Sequence, residues 1–366
     1  MKKRILHILP QFQPGGGIDS VVMNYVRNMD GDKFKNDILT HRVLNDEYVK
    51  EVKGRCNVYV FPEFSPKNLT YITDCYKEII KKNQYDVVHC HMANAAFLYL
   101  KIAFEEKIPL RILHSHQDHY SDKIMHAIRN VPLIYLGKKY ANYKIACSKQ
   151  AGDFLFKQKY TIINNGIDIN KFRFDENKRL AFREQNGIKD CDLVLAFVAR
   201  FVPQKNPLYV LEIFSNLVKG VPDAKLLLAG DGSLKQRMFR FAMAKNIENN
   251  IIWLGNVSDT SVIYSAADIL LMPSKYEGLG LSLIEGQCSG IICLCSNKVP
   301  NEAKVSTTIS FLPIGLEDIN LWVNSINNTL FTTDRKNAYK SVIRSGYDIK
   351  DAVKNLEQIY VENTNA

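Results

Sequence analysis

The chain has 366 residues, is 46% hydrophobic and 23% charged, and carries a net charge of +10. That length suits two domains of ordinary size, and the mixture is that of a globular protein rather than a disordered or fibrous one. No run of about 18 apolar residues occurs, which excludes a transmembrane helix.

The start, Met1 to Pro10, is basic but followed by only a short apolar run, so it reads as a first β-strand rather than a signal peptide. Short apolar runs then alternate with helical patterns, the signature of parallel α/β units. In the first half the expected strands are Arg4–Leu9, Asp37–His41, Val58–Phe61, Asp86–His89, Leu110–His114, Tyr143–Cys147 and Tyr160–Ile163. Pro14-Gly-Gly-Gly17 follows the first of these and precedes a helix expected from about Ile18. Such a loop lets backbone approach a phosphate or a sugar, and would equally serve as a plain tight turn. It is not Gly-x-Gly-x-x-Gly, and no acid follows at dinucleotide spacing.

All eight histidines precede residue 127. His89-Cys-His91 and His114-Ser-His116 each end a strand, so at least four rings gather at one sheet edge. With Asp118 they admit a zinc or binuclear site, but the second half holds no histidine to complete one. Eight cysteines lie scattered without a Cys-x-x-Cys pair, and read as reduced, mostly buried thiols.

Charge is uneven. Residues 1–170 hold 25 Lys and Arg against 17 Asp and Glu, whereas residues 171–366 hold 23 against 21. Residues 123–159 carry eight basic side chains and one acid, Asp153, interleaved with Ile128, Val131, Ile134, Tyr135 and Leu136. This reads as an amphipathic helix able to lie on an anionic bilayer, or as a solvated face of a basic protein. No aromatic-basic platform accompanies the charge, so nucleic acid is not an expected partner.

A turn-rich break at Asn164 to Asp168 divides the chain into residues 1–168 and 169–345, with a last helical segment, 346–366, expected to cross back to the first domain. Strands expected in the second half are Leu193–Val198, Ala224–Ala229, Ile251–Leu254, Asp268–Leu271, Ile291–Leu294 and Thr308–Phe311. Arg200 and Lys205 follow the first of these, two cations able to hold a diphosphate. Asp30-Gly-Asp32 and Asp190-Cys-Asp192 lie in linkers and read as turns rather than metal-binding Asp-x-Asp motifs. Glu277-Gly-Leu-Gly-Leu-Ser-Leu-Ile-Glu285 runs from a loop into a helix expected from Leu281 to about Ser289, stopped by Gly290. Two carboxylates flanking glycines and a helix start suit a sugar nucleotide, whose diphosphate seeks amides and whose hydroxyls seek acceptors. An acidic first turn of an ordinary helix is the plainer reading.

The order of these motifs resembles family 4 retaining glycosyltransferases of GT-B fold over essentially the whole chain. It runs Pro14 to Gly17, His114-Ser-His116, Ile162-Ile-Asn-Asn-Gly-Ile-Asp168, Ala199-Arg-Phe-Val-Pro-Gln-Lys-Asn-Pro207, Leu228-Ala-Gly-Asp-Gly232, Trp253-Leu-Gly255 and Pro273-Ser-Lys-Tyr-Glu-Gly-Leu-Gly-Leu-Ser-Leu-Ile-Glu285. Within the family it is most similar to the bacterial capsular and exopolysaccharide branch. The resemblance implies an α/β chain of two Rossmann-like domains whose parallel sheets face each other across a cleft.

It also implies roles. His116 would sit beside the transferred sugar. Arg200 and Lys205 would hold the diphosphate, Glu277 the sugar hydroxyls and Glu285 the ribose. Gly278, Leu279 and Gly280 would present backbone near the phosphates, with Gly16 and Gly17 closing on a substrate; His91 and His114 are acceptor-side candidates. Gly280 stands where many relatives carry proline, which implies a looser loop.

The implied reaction moves a hexose from a nucleoside diphosphate, UDP by expectation, with retention and without a metal cofactor. A lipid-linked oligosaccharide at the inner face of the cell membrane is the implied acceptor, and a cytoplasmic, peripheral location follows. A double displacement on the paired carboxylates is set aside because Glu285 is assigned to ribose. A nucleotide-sugar epimerase, a histidine-based metallohydrolase and a non-catalytic assembly subunit are the competing readings.

Overall fold

In the computed structural model the described residues are 2–14, 17–65, 67–116, 124–329 and 334–364, with backbone alone for 124–129. The chain divides into two compact units, Met1–Gly166 with Ile349–Ala366, and Ile167–Asp348.

The first unit contains a parallel sheet of β1 (Lys3–Leu9), β2 (Phe34–Thr40), β3 (Val58–Val60), β4 (Val87–Cys90), β5 (Leu110–Ser115), β6 (Tyr143–Ala146) and β7 (Thr161–Ile162). Its order is β3-β2-β1-β4-β5-β6-β7. The second holds β8 (Val194–Val198), β9 (Lys225–Ala229), β10 (Ile251–Gly255), β11 (Ile269–Met272), β12 (Ile292–Ser296) and β13 (Ile309–Leu312), in the order β10-β9-β8-β11-β12-β13. Both are doubly wound, reversing direction of growth between β1 and β4 and between β8 and β11. Ligands of such sheets bind at the carboxyl ends of the strands beside that reversal.

Parallel strands covered on both faces need apolar side chains on both, which is why they read as continuous hydrophobic runs. In β8, Leu195 and Phe197 enter a core with Val210, Phe214 and Trp322, while Val194 and Ala196 enter another with Ile263, Leu283 and Ile284. Cys293 and Cys295 belong to the latter core, and burial pushes the Cys295 thiol up to about 12. Asp268 pins the entrance of β11: its carboxylate accepts from Arg179, Arg183 and the Val194 amide, each at 2.9 Å.

The last helix, Ile349–Glu362, completes the first unit. Leu356 and Tyr360 are fully buried, and Glu357 accepts the Asp30 amide at 2.7 Å.

Candidate functional site

Three of the sequence motifs meet at the carboxyl end of β8. Gly230, at φ +139°, brings the end of β9 so close that a Cβ would lie 2.0 Å from the Ala199 carbonyl oxygen. The Phe201 amide donates to Asp231 O at 2.8 Å, and the Leu234 amide donates to Phe201 O at 2.9 Å. The Phe201 ring stacks on Phe197 and meets Trp253 edge-on. The glycines therefore serve backbone packing, and the loop they support carries the two cations.

That loop ends in a short 3₁₀ turn, Pro203–Lys205, followed by Asn206 at φ +56° and Pro207 opening the helix Pro207–Leu217. Proline suits a first helical position because it has no amide to leave unpaired. Lys205 Nζ donates to both Glu277 oxygens, at 2.6 and 2.7 Å, and Ser274 Oγ donates to one of them at 2.6 Å. The loop after β11 is further zipped to it by the Lys275 amide on Gln204 O, at 2.8 Å. Glu277 is 6% exposed and the Lys205 side chain 16%, so this is a largely dry ion pair at the strands where the sheet reverses. Arg200 is exposed and makes no ion pair among the described residues.

Gly280 takes φ +82°, in the left-handed region, directly before the helix Leu281–Cys288. Proline, locked near −65°, cannot adopt that angle. The expected loosening is thus replaced by a defined left-handed turn, with Leu283 N–H on Gly280 O at 2.8 Å. Glu285 lies one turn into the helix, where Tyr264 donates to its Oε2 at 2.8 Å. Burial pushes this carboxyl up to about 7, against the lowering effect of the Tyr264 hydrogen bond and Lys171. Gly290, at φ +68°, lies just past the Ser289 cap of the helix.

In the first unit the histidines form a stack at the carboxyl ends of β1, β4 and β5. His89 and His114 rings are 5.2 Å apart, His91 and His116 5.1 Å, and His114 and His116 4.0 Å. His7 joins them, within hydrogen-bond distance of His91 at 3.2 Å. Sequence reasoning missed His7, Asn36 and Tyr360 as members of this group. The available signal was register: His7 pairs directly with His89, and His-x-His spacing puts alternate residues on one face. Burial lowers His7 to about 4 and His116 to about 3. Ring nitrogens of His7, His89 and His91, and of His91, His114 and His116, lie within 4.8 Å of one another, close enough to hold an ion. Both nitrogens of His91, however, are already engaged with neighbouring rings.

Gly16, expected in the donor loop, lies outside the described residues, as do Asp118 and Lys123. Gly17 is the first residue of the helix Gly17–Asn28. Asp30 accepts the Asp32 amide at 2.9 Å and Asp192 that of Lys189 at 2.8 Å, the pattern of turns.

The basic segment 123–159 is not one amphipathic helix. It comprises the helix Ile124–Tyr140, strand β6 and the helix Lys149–Leu155, because Tyr143–Ala146 is apolar enough to pair into the sheet. The first helix turns Ile134 and Gly137 inward; a Cβ on Gly137 would meet Ala96 Cβ at 2.7 Å. Val131, Tyr135 and Leu136 face outward, with exposures of 44%, 74% and 46%, beside exposed Lys139. Among the described residues no helix is long and apolar enough to cross a membrane.

Comparison with known proteins matches both halves. The family described as "Glycosyltransferase Family 4" matches residues 15–171, and "Glycosyl transferases group 1" matches residues 178–308. The chain is 27% identical to EpsF of Bacillus subtilis, a protein named as a glycosyltransferase, over 98% of this chain and 96% of that one. It is 25% identical to the Escherichia coli UDP-Gal:alpha-D-GlcNAc-diphosphoundecaprenol alpha-1,3-galactosyltransferase, over 81% and 80% of the two chains. Among solved structures, Anabaena HepE in complex with UDP and glucose superposes with a TM-score of 0.78 at 17% identity, covering 98% and 99% of the two chains. WaaG, a glycosyltransferase involved in lipopolysaccharide biosynthesis, gives 0.74 at 15% identity, covering 97% and 99%. These structural likenesses carry the GT-B fold, and the sequence matches carry the activity. The chain belongs to the family 4 glycosyltransferases and is a hexosyltransferase of their capsular and exopolysaccharide branch.

Proposed function

We propose that this enzyme moves a hexose from a UDP-sugar, with retention, onto a lipid-linked repeat unit of a surface polysaccharide. The observation that carries this reading is the Lys205–Glu277 pair at the reversal strands of the second sheet, beside an Arg200 that makes no ion pair among the described residues. Arg200 and Lys205 neutralise the diphosphate as the glycosidic bond breaks, and the charge of Lys205, fixed by Glu277 in a largely dry site, costs little reorganisation at that moment. Glu277, steadied by Lys205 and Ser274, accepts from hydroxyls of the sugar. Glu285, held by Tyr264, offers its other oxygen to the ribose. We assign the backbone of Gly278, Leu279 and Gly280 to the phosphates, and Gly16 and Gly17 to donor binding. His116 contacts the transferred sugar, with His91 and His114 toward the acceptor. The acceptor proton passes to the departing phosphate oxygen, so no carboxylate acts as nucleophile and no metal is required.

The named substrates of relatives support the donor and acceptor classes. HepE is described with UDP-glucose, and the Escherichia coli relative acts on a diphosphoundecaprenol-linked sugar. We assign the working location to the cytoplasmic face of the membrane, reached through Val131, Tyr135 and Leu136 with the surrounding lysines. An apolar stripe flanked by basic residues suits an anionic lipid surface. We take 1–168 and 169–345 as the functional domains, with 346–366 serving the first.

The test is a panel of UDP-sugars incubated with the enzyme in EDTA, followed for slow donor hydrolysis. One sugar consumed in EDTA is the expected result. No consumption until a divalent ion is restored would overturn metal independence. Conversion to another UDP-sugar without release of UDP would mean an epimerase.

A further inference from the structure

One guanidinium ties together the carboxyl ends of two helices in the second unit. Arg335 Nε donates to the Ser289 carbonyl at 3.0 Å, just past the helix Leu281–Cys288. Its Nη2 donates to the Tyr264 carbonyl at 2.6 Å, within the helix Ser261–Ala266, and its Nη1 to the Ala267 carbonyl at 3.1 Å. Carbonyls at a helix end have no partner inside the helix, and a cation there also suits the helix dipole. The guanidinium lies over the Phe174 ring, 4.2 Å from its centre. Gly290 permits this approach, because a Cβ there would lie 2.7 Å from Arg335 Cα.

Tyr264, held at its carbonyl by Arg335, reaches Glu285 with its hydroxyl. The ring is fully buried in a core with Phe172, Ile263 and Leu283, and close packing there fixes where the hydroxyl comes. It donates to Glu285 Oε2 at 2.8 Å. Burial holds the phenol well above its ordinary range, so the hydroxyl keeps its proton. An ionised carboxylate can only accept, which sets the direction of the bond. Lys171, from the short helix Ile169–Phe172, also favours the ionised carboxylate. The Cys288 thiol one turn on, pushed up to about 12 by burial, stays neutral and adds no charge. A glutamate side chain is rich in rotamers, and holding one of its oxygens in advance spares ordering entropy that a ligand would otherwise supply.

We propose that Tyr264 and Arg335 are positioning residues for nucleotide recognition. Arg335 fixes the two helix ends, Tyr264 holds one oxygen of Glu285, and the carboxylate so oriented tells a ribonucleotide from a deoxyribonucleotide. The proposal rests on the assignment of Glu285 to the ribose under the proposed function. It extends the site to two side chains that touch no substrate, one of them placed through backbone carbonyls alone.

The experiment is calorimetry of the full chain at about pH 8, with UDP, 2′-deoxy-UDP and 3′-deoxy-UDP as ligands. The parent should bind UDP at least about tenfold more tightly than one of the deoxy analogues, because a carboxylate placed for a hydroxyl loses its partner when that hydroxyl is missing. Tyr264→Phe keeps the buried ring and removes only the donor. It should narrow the preference to about threefold or less, with the affinity for the disfavoured analogue near that of the parent. The lost bond also favoured the ionised form, so the pH at which UDP affinity levels off should rise by roughly one unit in this variant.

A Tyr264→Phe protein with the preference and the levelling pH of the parent would overturn the positioning role and leave Glu285 at the ribose. Equal loss of affinity for all three ligands would also overturn it, because a merely structural tyrosine does not sense the hydroxyls. No preference in the parent would overturn the placement of Glu285 itself, and the proposal with it. Arg335→Lys keeps the charge but not the planar fork, and should narrow the preference in the same direction. Added to Tyr264→Phe it should narrow it no further, as residues acting through one contact do. An undiminished preference would remove Arg335 from the scheme. If circular dichroism shows Arg335→Lys unfolded, Phe174→Leu takes its place, since it strips the ring from beneath the guanidinium; the same two outcomes apply.

Discussion

Lys205 reaches both carboxylate oxygens of Glu277, at 2.6 and 2.7 Å, across 72 residues of sequence. The cation after β8 and the anion after β11 thus behave as one charged element. Lys205→Ala should lower turnover roughly 10²–10³-fold, as loss of one charge-stabilising group does. It should also cost stability, because Glu277 would remain largely buried with Ser274 as its other partner. Adding Glu277→Gln should restore stability in urea unfolding without restoring turnover. Turnover of the single variant within about threefold of the parent would remove Lys205 from the mechanism.

Glu285 predicts a pH dependence. Burial raises its carboxyl from 4.5 to about 7, so the folded protein holds a proton that the unfolded chain has released. Its contribution to stability therefore declines as pH rises from about 4.5 to about 7, and is flat above. The carboxylate is the better acceptor for ribose hydroxyls, so UDP affinity should rise with pH over that range. Calorimetry should show about a tenfold gain per pH unit well below 7, flattening above it. Glu285→Gln should abolish the part of the slope that is not due to UDP itself. Parallel profiles for parent and variant would show that Glu285 does not face the nucleotide.

Tyr135→Asp with Leu136→Asp removes the outward apolar stripe of the helix Ile124–Tyr140 while leaving Ile134 and Gly137 in place. Cosedimentation with phosphatidylglycerol vesicles should fall at least about tenfold, since two partly inserted side chains and two added negative charges act in the same direction. Donor hydrolysis in solution should be unchanged. Equal cosedimentation of both proteins would assign membrane contact to another surface.

Gly280→Ala should cost about 1–2 kcal/mol in urea unfolding, the penalty for an L-residue in the left-handed region. Space is not the cause, because a Cβ there would meet Leu283 and Met272 no closer than 3.4 Å. An alanine variant as stable as the parent would mean that the turn relaxes to negative φ.

The central strands were legible because they are buried on both faces, and an apolar run as short as Val194–Val198 between polar flanks suits a buried strand better than a helix. The helix Leu281–Cys288 was legible from its flanking glycines, although the left-handed angle at Gly280 was not. Lys205 and Glu277 were visible singly, but their pairing depends on two loops zipped through Gln204 and Lys275. His7, Asn36 and Tyr360 escaped notice for a related reason. An asparagine on β2 or a tyrosine in the last helix carries no local mark of the ring it will bond. Such partners come from register and from chain return, which periodicity does not encode. The basic stretch 123–159 misleads because its charge invites a reading as one helix, although the strand expected at Tyr143–Cys147 already divides it.

The bond between His89 and Tyr360 spans 271 residues and closes a unit whose chain is interrupted by the whole of the other. On the ribosome, Gly166 precedes Ile349 by 183 positions, roughly 10–40 s of synthesis. The segment Ile167–Asp348 is continuous, is made during that interval and needs no later residue to complete it. The earlier sheet must wait, with Phe34 and His89 bare of the helix that covers them. The unit begun first is therefore completed last, and the last fourteen-residue helix is the step that completes the histidine face.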